Sequence, residues 1–252
     1  MEIRVLNLAR RPDRWSRFKM LNSHLEECVR VECIDGPALG PAGLRDHGVV
    51  REELPKYQCS TIGNQLSHMR EWRRIVDSNL MGTVAEDDAI FHADFEAHAR
   101  DLFTLAPDDW DVIFWGWTQC CAVMFEIAPG CRWILGATSK EVMPGENRRF
   151  PRHPYVPNLH RCTHCYNSFA YTLSPRGARN LLDRCWPLKD ETLPMTGTGA
   201  QVDIYGVDAK VSATIPFLQA YLSFPPIAYH PHDISDSDMV PDTALPGYNI
   251  IQ

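Results

Sequence analysis

EIRVLNL, residues 2–8, alternates into a continuous apolar run and predicts a buried β-strand. Apolar side chains then recur at helical spacing from Asp13 onward, and residues 29–34, VRVECI, predict a second strand. Asp35-Gly36-Pro37, a turn-forming run, follows that second strand. A β-α-β opening of this kind favours an α/β fold with a parallel sheet.

Three further strands are predicted downstream, at residues 81–85, 111–117 and 168–173, because each is a short apolar run. A helix is predicted to begin at Gly63, and another after Ser174, a preferred N-cap residue. Residues 131–160 lack a regular pattern and are rich in Pro and Arg, which predicts a long surface excursion. Strands that alternate with helices extend the α/β prediction over most of the chain.

Composition and charge narrow the class of protein. The 252 residues contain 25 Lys and Arg against 32 Asp and Glu, which gives a net charge of −7. Nucleic-acid binding is unexpected, because clustered basic residues are needed to neutralise phosphates. Residues 211–232 lack charged side chains other than His but contain four prolines, so no transmembrane helix is expected. We expect a cytoplasmic protein, or one peripheral at a membrane surface, with its nine cysteines reduced.

Glu86-Asp87-Asp88 is the strongest chemical signal, because it directly follows the strand predicted at 81–85. Three adjacent carboxylates repel one another and favour a bound cation. Alternation in extended chain would direct Glu86 and Asp88 to one side and Asp87 to the other. The pair would suit Mn²⁺ or Mg²⁺ with positions left open for a diphosphate, and the alternative is an acidic surface turn.

Five segments resemble, in order, the motifs of glycosyltransferase family 25, which includes lipopolysaccharide and collagen-hydroxylysine galactosyltransferases. They are residues 5–8 with Arg11 and 13–15; Ile62-Gly63 with Ser67-His68 and Trp72; residues 86–89; Ala170-Tyr171 with Ser174, Gly177-Ala178 and Leu181-Leu182; and Val202-Asp203. Asp35-Gly36 also falls where the family has a similar pair. The resemblance covers most of residues 1–230.

The resemblance implies a GT-A type glycosyltransferase fold in one domain over residues 1–252. A Rossmann-like nucleotide-sugar half, about 1–117, would be fused to an acceptor-binding half, about 118–252. The implied reaction is inverting transfer of a hexose, most often galactose, from a UDP-sugar to a hydroxyl of a glycan or glycoconjugate. A metal at Glu86 and Asp88 would stabilise the charge that develops on the leaving diphosphate.

Donor-binding residues are predicted where the matched motifs lie at strand ends or helix starts. They are Asn7, Leu8, Arg11, Arg14, Asp35, Gly36, Ser67, His68 and Asp87. The alternatives are a solvated helix position for Arg14, turn formation for Asp35 and core packing for His68.

The candidate catalytic base and the candidate third metal ligand lie in the second half of the chain. Asp203 is the candidate catalytic base, since a Gly-containing loop at 196–199 precedes it; the alternative is a helix N-cap before Ile204. His230 is the candidate third metal ligand, with His232 as the alternative. The acidic run at 235–238 is either a segment ordered over the donor or a flexible tail.

Two other functions compete with transfer. One is a non-catalytic nucleotide-sugar or glycan-binding protein of the same fold. The other is a zinc-dependent hydrolase that uses the cluster His160, Cys162, His164 and Cys165, whose close spacing suits a zinc site. The intact acidic triplet favours the transferase.

Overall fold

The structure, a computed structural model, describes residues 1–118, 121–135, 149–194 and 201–231, together with Asp236 and Asp238. Its strands are β1 (Ile3–Asn7), β2 (Cys28–Glu32), β3 (Gly82–Glu86), β4 (Ile90–Phe91), β5 (Val112–Phe114), β6 (Val123–Ala128), β7 (Cys131–Leu135), β8 (Asn158–His164), β9 (Ala170–Leu173), β10 (Glu191–Pro194), β11 (Gln201–Ile204), β12 (Ala220–Phe224) and β13 (Ala228–Tyr229). The α-helices in these ranges are α1 (Pro12–Leu21), α2 (Gly36–Asp46), α3 (Cys59–Ser78), α4 (Phe95–Leu105), α5 (Pro175–Cys185) and α6 (Val207–Thr214). Short 3-10 helices lie at Arg51–Glu53, Phe150–Arg152 and Ile215–Phe217.

A mixed nine-stranded sheet organises the molecule, in the order β2-β1-β3-β9-β5-β12-β8-β6-β7. β1 pairs in parallel with β2 and β3, and β5 pairs in parallel with β12. β9 lies antiparallel between β3 and β5, so these two strands run in the same direction. The predicted α/β architecture with a parallel β-α-β opening is confirmed, although the sheet is mixed.

Helices cover both faces of the sheet. On one face, α3, α5 and α6 contribute buried side chains to a cluster with β3 and β5, for example Trp72 and Leu181. On the other face, Phe18 of α1 and Phe95 of α4 pack with Val5 of β1. Alternate residues of the central strands point to opposite faces, so both clusters exclude water from the sheet.

Two helix starts differ from the sequence prediction. Asp35-Gly36-Pro37 begins α2 instead of forming a turn, with Asp35 at the N-cap. α3 begins at Cys59, not at Gly63, and the backbone N–H of Gln58 donates to Thr61 Oγ1 at 3.1 Å. The start predicted after Ser174 is confirmed, because Ser174 Oγ accepts from the backbone N–H of Gly177 at 3.0 Å.

The excursion predicted at 131–160 is wrong at its two ends. Residues 131–135 form β7, which pairs with β6, and β8 begins at Asn158. β8 joins the sheet between β6 and β12. Residues 136–148 lie outside the described part of the chain. In the described ranges, no helix is both long and apolar enough to cross a bilayer.

Candidate functional site

The acidic triplet lies where two parallel strands end side by side. β3 ends at Glu86, and its neighbour β1 ends at Asn7. Asp87 and Asp88 follow in a turn, so the alternation of a strand no longer fixes their directions. The predicted separation of Asp87 from Asp88 is therefore wrong, because both carboxylates pair with Arg14; Glu86 contacts His68.

Asp88 has one carboxylate oxygen that nothing in the described residues satisfies. Its Oδ2 accepts from Arg14 Nη2 at 2.8 Å and lies 3.4 Å from His230 Nε2. Its Oδ1 is buried without a hydrogen-bond partner. Burial opposes ionisation, but His230 and Arg14 outweigh it and hold the pKa of Asp88 well below its usual value. An ionised, buried, unpartnered oxygen beside an imidazole is a donor set that a divalent cation fits.

Asp87 shares Arg14 Nη2 with Asp88 and also contacts Asn7. Asn7 Nδ2 donates to Asp87 Oδ2 at 2.5 Å, and Arg14 forms an ion pair with Asp87 Oδ1. Burial raises the pKa of Asp87 to about 6, against the opposing effect of Arg14. The side-chain oxygen of Asn7 also accepts from Arg30 Nε at 2.7 Å, so both polar atoms of this side chain are hydrogen-bonded within the protein.

Glu86 is positioned by a buried network on α3 and β9. His68 Nε2 lies 3.2 Å from Glu86 Oε1, and His68 Nδ1 lies 2.7 Å from the hydroxyl of Tyr171. That hydroxyl also accepts from Trp72 Nε1 at 2.8 Å. Burial opposes the ionisation of Glu86, but the bond to His68 outweighs it and lowers the pKa of Glu86. Both ring nitrogens of His68 are engaged, which makes it a positioning residue for Glu86.

Ser67 joins two elements below the site. Its hydroxyl donates to the carbonyl of Gly63 at 2.7 Å and accepts from the backbone N–H of Ile34 at 2.8 Å. The side chain is fully buried. Ser67 therefore ties the end of β2 to α3.

Four arginines at the start of the chain form a cationic cluster above the triplet, called the arginine cluster below: Arg10, Arg11, Arg14 and Arg17. Asp238 accepts from Arg10 at 2.6 Å and from Arg11 at 2.7 Å. Asp236 pairs with Arg11 and Arg17. Of these four arginines, only Arg11 and Arg14 are predicted from the sequence to bind the donor, because Arg10 and Arg17 belong to none of the matched motifs.

The other predicted donor contacts surround this cluster. Asp35 accepts from Arg10 Nε at 2.7 Å, and its Oδ1 is buried without a partner in the described residues. The carbonyl of Leu8 accepts from Arg30 Nη2 at 3.3 Å. A Cβ on Gly36 would lie 1.8 Å from the carbonyl oxygen of Cys59, so this glycine is required for α2 to approach α3.

Asp203 and Asp208, the two candidate bases in this part of the chain, have different surroundings. Asp203 lies in β11, not at a helix N-cap, with half of its side chain exposed, 3.0 Å from Lys56 Nζ and 2.5 Å from Thr192 Oγ1. Asp208, in the first turn of α6, is half-buried and lies near enough to feel the charges of Glu86 and His68. Burial is the main cause that raises the pKa of Asp208. The sequence analysis missed Asp208, although it repeats the Val-Asp pair of 202–203 five residues later.

The predicted zinc cluster does not converge. His160 Nδ1 lies 3.2 Å from the carbonyl oxygen of Glu126, and His164 Nδ1 lies 3.2 Å from Ser212 Oγ. Cys162 and Cys165 are buried beside each other, and burial holds the pKa of Cys165 well above its usual value. In the described ranges, the four side chains do not bring three ligand atoms together. His232 and the loop 196–199 lie outside those ranges.

The fold and site together define an α/β protein with a carboxylate-rich site at the carboxyl ends of parallel strands. Comparison with curated proteins confirms the resemblance to glycosyltransferase family 25. The chain is 30% identical to the probable inactive glycosyltransferase 25 family member 3 of Rattus norvegicus, over 96% of this chain and 40% of the relative. It is 29% identical to the protein of that name in Bos taurus and 27% identical to procollagen galactosyltransferase 1 of Danio rerio, each over 96% of this chain and 38% of the relative.

No family model matches the chain. The chain spans about two fifths of the length of these curated relatives.

Proposed function

We propose that this chain is a GT-A type glycosyltransferase that moves a hexose, most plausibly galactose, from a UDP-sugar to a hydroxyl of a glycan or glycoconjugate. The observation that carries the proposal is the buried, unpartnered Oδ1 of Asp88 beside His230. The similarity to procollagen galactosyltransferase 1 supports the reaction class. The transferred sugar would leave the diphosphate through cleavage of its anomeric C–O bond.

Asp88 and His230, which lie 3.4 Å apart, would hold a Mn²⁺ or Mg²⁺ ion, and Glu86 would join them after a side-chain movement, because the three ligand atoms do not all lie within 4.8 Å of one another in the structure. Such an ion, when bound, supplies Lewis-acid stabilisation of the leaving diphosphate. Glu86 is kept ionised and oriented by His68, as its lowered pKa indicates. Arg14 neutralises Asp87 and Asp88, which allows three adjacent carboxylates to persist at a partly buried strand end.

The arginine cluster would bind the diphosphate. Its guanidinium groups already hold two carboxylates, those of Asp236 and Asp238, and guanidinium binds phosphate and carboxylate oxygens in the same way. Asn7, Leu8, Asp35 and Gly36 border this cluster and are proposed to contact the nucleoside.

A base must take the proton of the acceptor hydroxyl as the new glycosidic bond forms. Asp208 suits this role better than Asp203, because burial raises its pKa and its charge interacts with that of Glu86 in the acidic triplet. The hydrogen bond from Thr192 and then the contact with Lys56 favour the ionised form of Asp203 and lower its pKa. We expect Asp208→Asn to lower turnover about 10²–10⁴-fold and Asp203→Asn to leave it nearly unchanged.

The test is UDP release from a panel of UDP-sugars, with Mn²⁺ and with EDTA. We expect slow hydrolysis of one donor, lost in EDTA and lowered about 10²–10³-fold by Asp88→Asn. Asp77→Asn, on an exposed position of α3, is the matched control and should keep full activity. Circular dichroism and melting temperature would establish that both variants fold.

A non-catalytic role is the second candidate, because two of the relatives described above are named as probable inactive members. That role predicts a rise in melting temperature with UDP, as for any ligand of the folded state, and no UDP release from any donor. Absence of both release and stabilisation by UDP would contradict donor binding altogether.

A further inference from the structure

Three ligand-type side chains converge at the start of α4. His92 follows β4, Asp94 is the N-cap of α4, and His98 lies one turn into that helix. One ligand atom from each lies within 4.8 Å of the other two. Across the described ranges, no other group of three His, Cys, Asp or Glu side chains converges in this way.

The ring of His92 is oriented as a metal ligand would be. Its Nε2 lies 2.8 Å from the carbonyl oxygen of His153, so Nε2 carries the proton and Nδ1 carries the lone pair. Metal-binding histidines typically donate their other ring N–H to a carbonyl or carboxylate in this manner. The ring is buried and packs 5.2 Å from the ring of Tyr155, which fixes its direction.

Nδ1 of His92 accepts one hydrogen bond in this structure. The backbone N–H of Asp94 donates to it at 3.1 Å. A metal ion would replace this bond, and the N–H of Asp94 lies at a helix start, where water can satisfy it.

Asp94 occupies an N-cap position without acting as a cap. An N-cap Asp ordinarily accepts from the backbone N–H of the second or third helical residue. The side chain of Asp94 makes no such bond and is exposed. Its carboxylate instead lies near the two imidazoles.

His98 completes the group, with its ring centroid 5.1 Å from that of His92. The ligand atoms of His92, Asp94 and His98 therefore face one another at the start of α4.

We propose that His92, Asp94 and His98 form a second metal site, which takes a zinc-type divalent transition metal. Two imidazoles and one carboxylate favour Zn²⁺ or Co²⁺ over Mg²⁺ or Ca²⁺, and leave a fourth position for water. Metal–ligand bonds of about 2.0–2.2 Å require ligand atoms about 3.3–3.5 Å apart. Metal binding therefore requires side-chain rotations of Asp94 and His98, both of which are at least partly exposed.

The test is titration of Co²⁺ into the metal-free full chain that carries Asp88→Asn. That substitution removes a ligand of the proposed donor-site metal, so failure of the donor site cannot imitate failure of this one. We expect one Co²⁺ per chain with visible d–d absorption, displaced by Zn²⁺, and a rise in melting temperature with Zn²⁺. Adding Asp94→Asn or His98→Ala should weaken binding at least about tenfold, which corresponds to about 1.4 kcal/mol.

His47→Ala and Asp77→Asn are the matched controls, because both residues are exposed and lie outside the cluster. Both should bind Co²⁺ as the parent does. Absence of Co²⁺ binding, or equal binding by the Asp94→Asn variant, would overturn the proposal. Asp94→Asn decides the matter if His98→Ala does not fold, since Asp94 is exposed and makes no capping bond.

Discussion

Adjacent carboxylates in this protein have distinct environments because their partners come from distant parts of the chain. Asp88 contacts Arg14, which is 74 residues earlier, whereas Asp87 contacts Asn7, which is 80 residues earlier. The position of the triplet at a strand end follows from the apolar run before it. The partner of each carboxylate does not, because β3 ends at Glu86 and the turn sets the later directions. Sequence reasoning therefore places the triplet at a strand end but does not predict the partner of each carboxylate.

A buried ion pair next to this site allows a prediction about pH. Glu71 on α3 accepts from Arg4 Nε at 2.6 Å and from Arg74 Nε at 2.9 Å. Burial opposes the ionisation of Glu71, but Arg4 and Arg74 outweigh it and lower the pKa of Glu71. A lowered carboxyl pKa contributes stability above the unfolded pKa of about 4.3, and that stability is lost as pH falls through the folded value.

We expect Glu71→Gln to lower the free energy of unfolding by about 1–3 kcal/mol at pH 7, because a buried carboxylate is lost and two arginines lose their partner. The difference from the parent should shrink below about pH 4.3, where Glu71 of the parent becomes protonated in the unfolded state. Urea unfolding at several pH values measures this.

The control for that experiment is Glu52→Gln, which removes an exposed pair with Arg45. Exposed pairs contribute about 0–1 kcal/mol, so the control should change little at any pH. A pH-independent loss in Glu71→Gln would contradict the electrostatic account and indicate a packing effect.

At the scale of elements, the strongly patterned segments are predicted and the weakly patterned ones are not. β1, α1 and α5 carry clear periodicity or a capping residue, and the structure confirms them. β6 and β7 lack alternation that a single segment could reveal, and Trp133 and Ile134 of β7 are exposed. These strands form because β8 has a free edge with which a further strand can pair. The local sequence of a strand carries no signal for such long-range pairing.

The contact between α2 and α3 allows a prediction for packing. A Cβ on Gly36 would lie 1.8 Å from the carbonyl oxygen of Cys59, and backbone cannot move aside as a side chain can. We expect Gly36→Ala to lower the free energy of unfolding by about 1–3 kcal/mol or more, because α2 must move away from α3. Thermal and urea unfolding measure this loss.

Gly43→Ala in the same helix is the matched control. A Cβ there would lie 2.9 Å from the Cβ of Leu39, so one side chain must shift, whereas at Gly36 the obstacle is the backbone of another helix. Alanine also favours helix over glycine by about 0.5–1 kcal/mol, so the loss of stability should be smaller than for Gly36→Ala. Equal effects of the two substitutions would show that glycine flexibility, and not close approach of the helices, accounts for Gly36.

Across the whole molecule, the sheet brings the two ends of the described chain to one site. β1 lies beside β3 in the sheet, so Arg11 reaches the edge where the acidic triplet lies. Asp236 pairs with Arg11 across 225 residues, and His230 contacts Asp88. The proposed donor site is thus assembled from the first and last parts of the fold, which explains why no short segment predicts it completely.

This arrangement predicts competition between the acidic residues near the end of the chain and the donor. Asp238 accepts from Arg10 at 2.6 Å and from Arg11 at 2.7 Å, so its carboxylate uses guanidinium groups that a diphosphate would need. We expect Asp238→Asn to bind UDP about two- to tenfold more tightly, which corresponds to about 0.4–1.4 kcal/mol. The reason is that UDP no longer has to displace a partly exposed ion pair from the arginines. Calorimetric titration with UDP measures the change, and raised salt should reduce the difference.

Asp13→Asn is the matched control, because Asp13 also pairs with Arg11 but is mostly exposed, and its effect on UDP affinity should be smaller. Weaker UDP binding by Asp238→Asn would instead mean that Asp238 holds the arginines in place for the diphosphate.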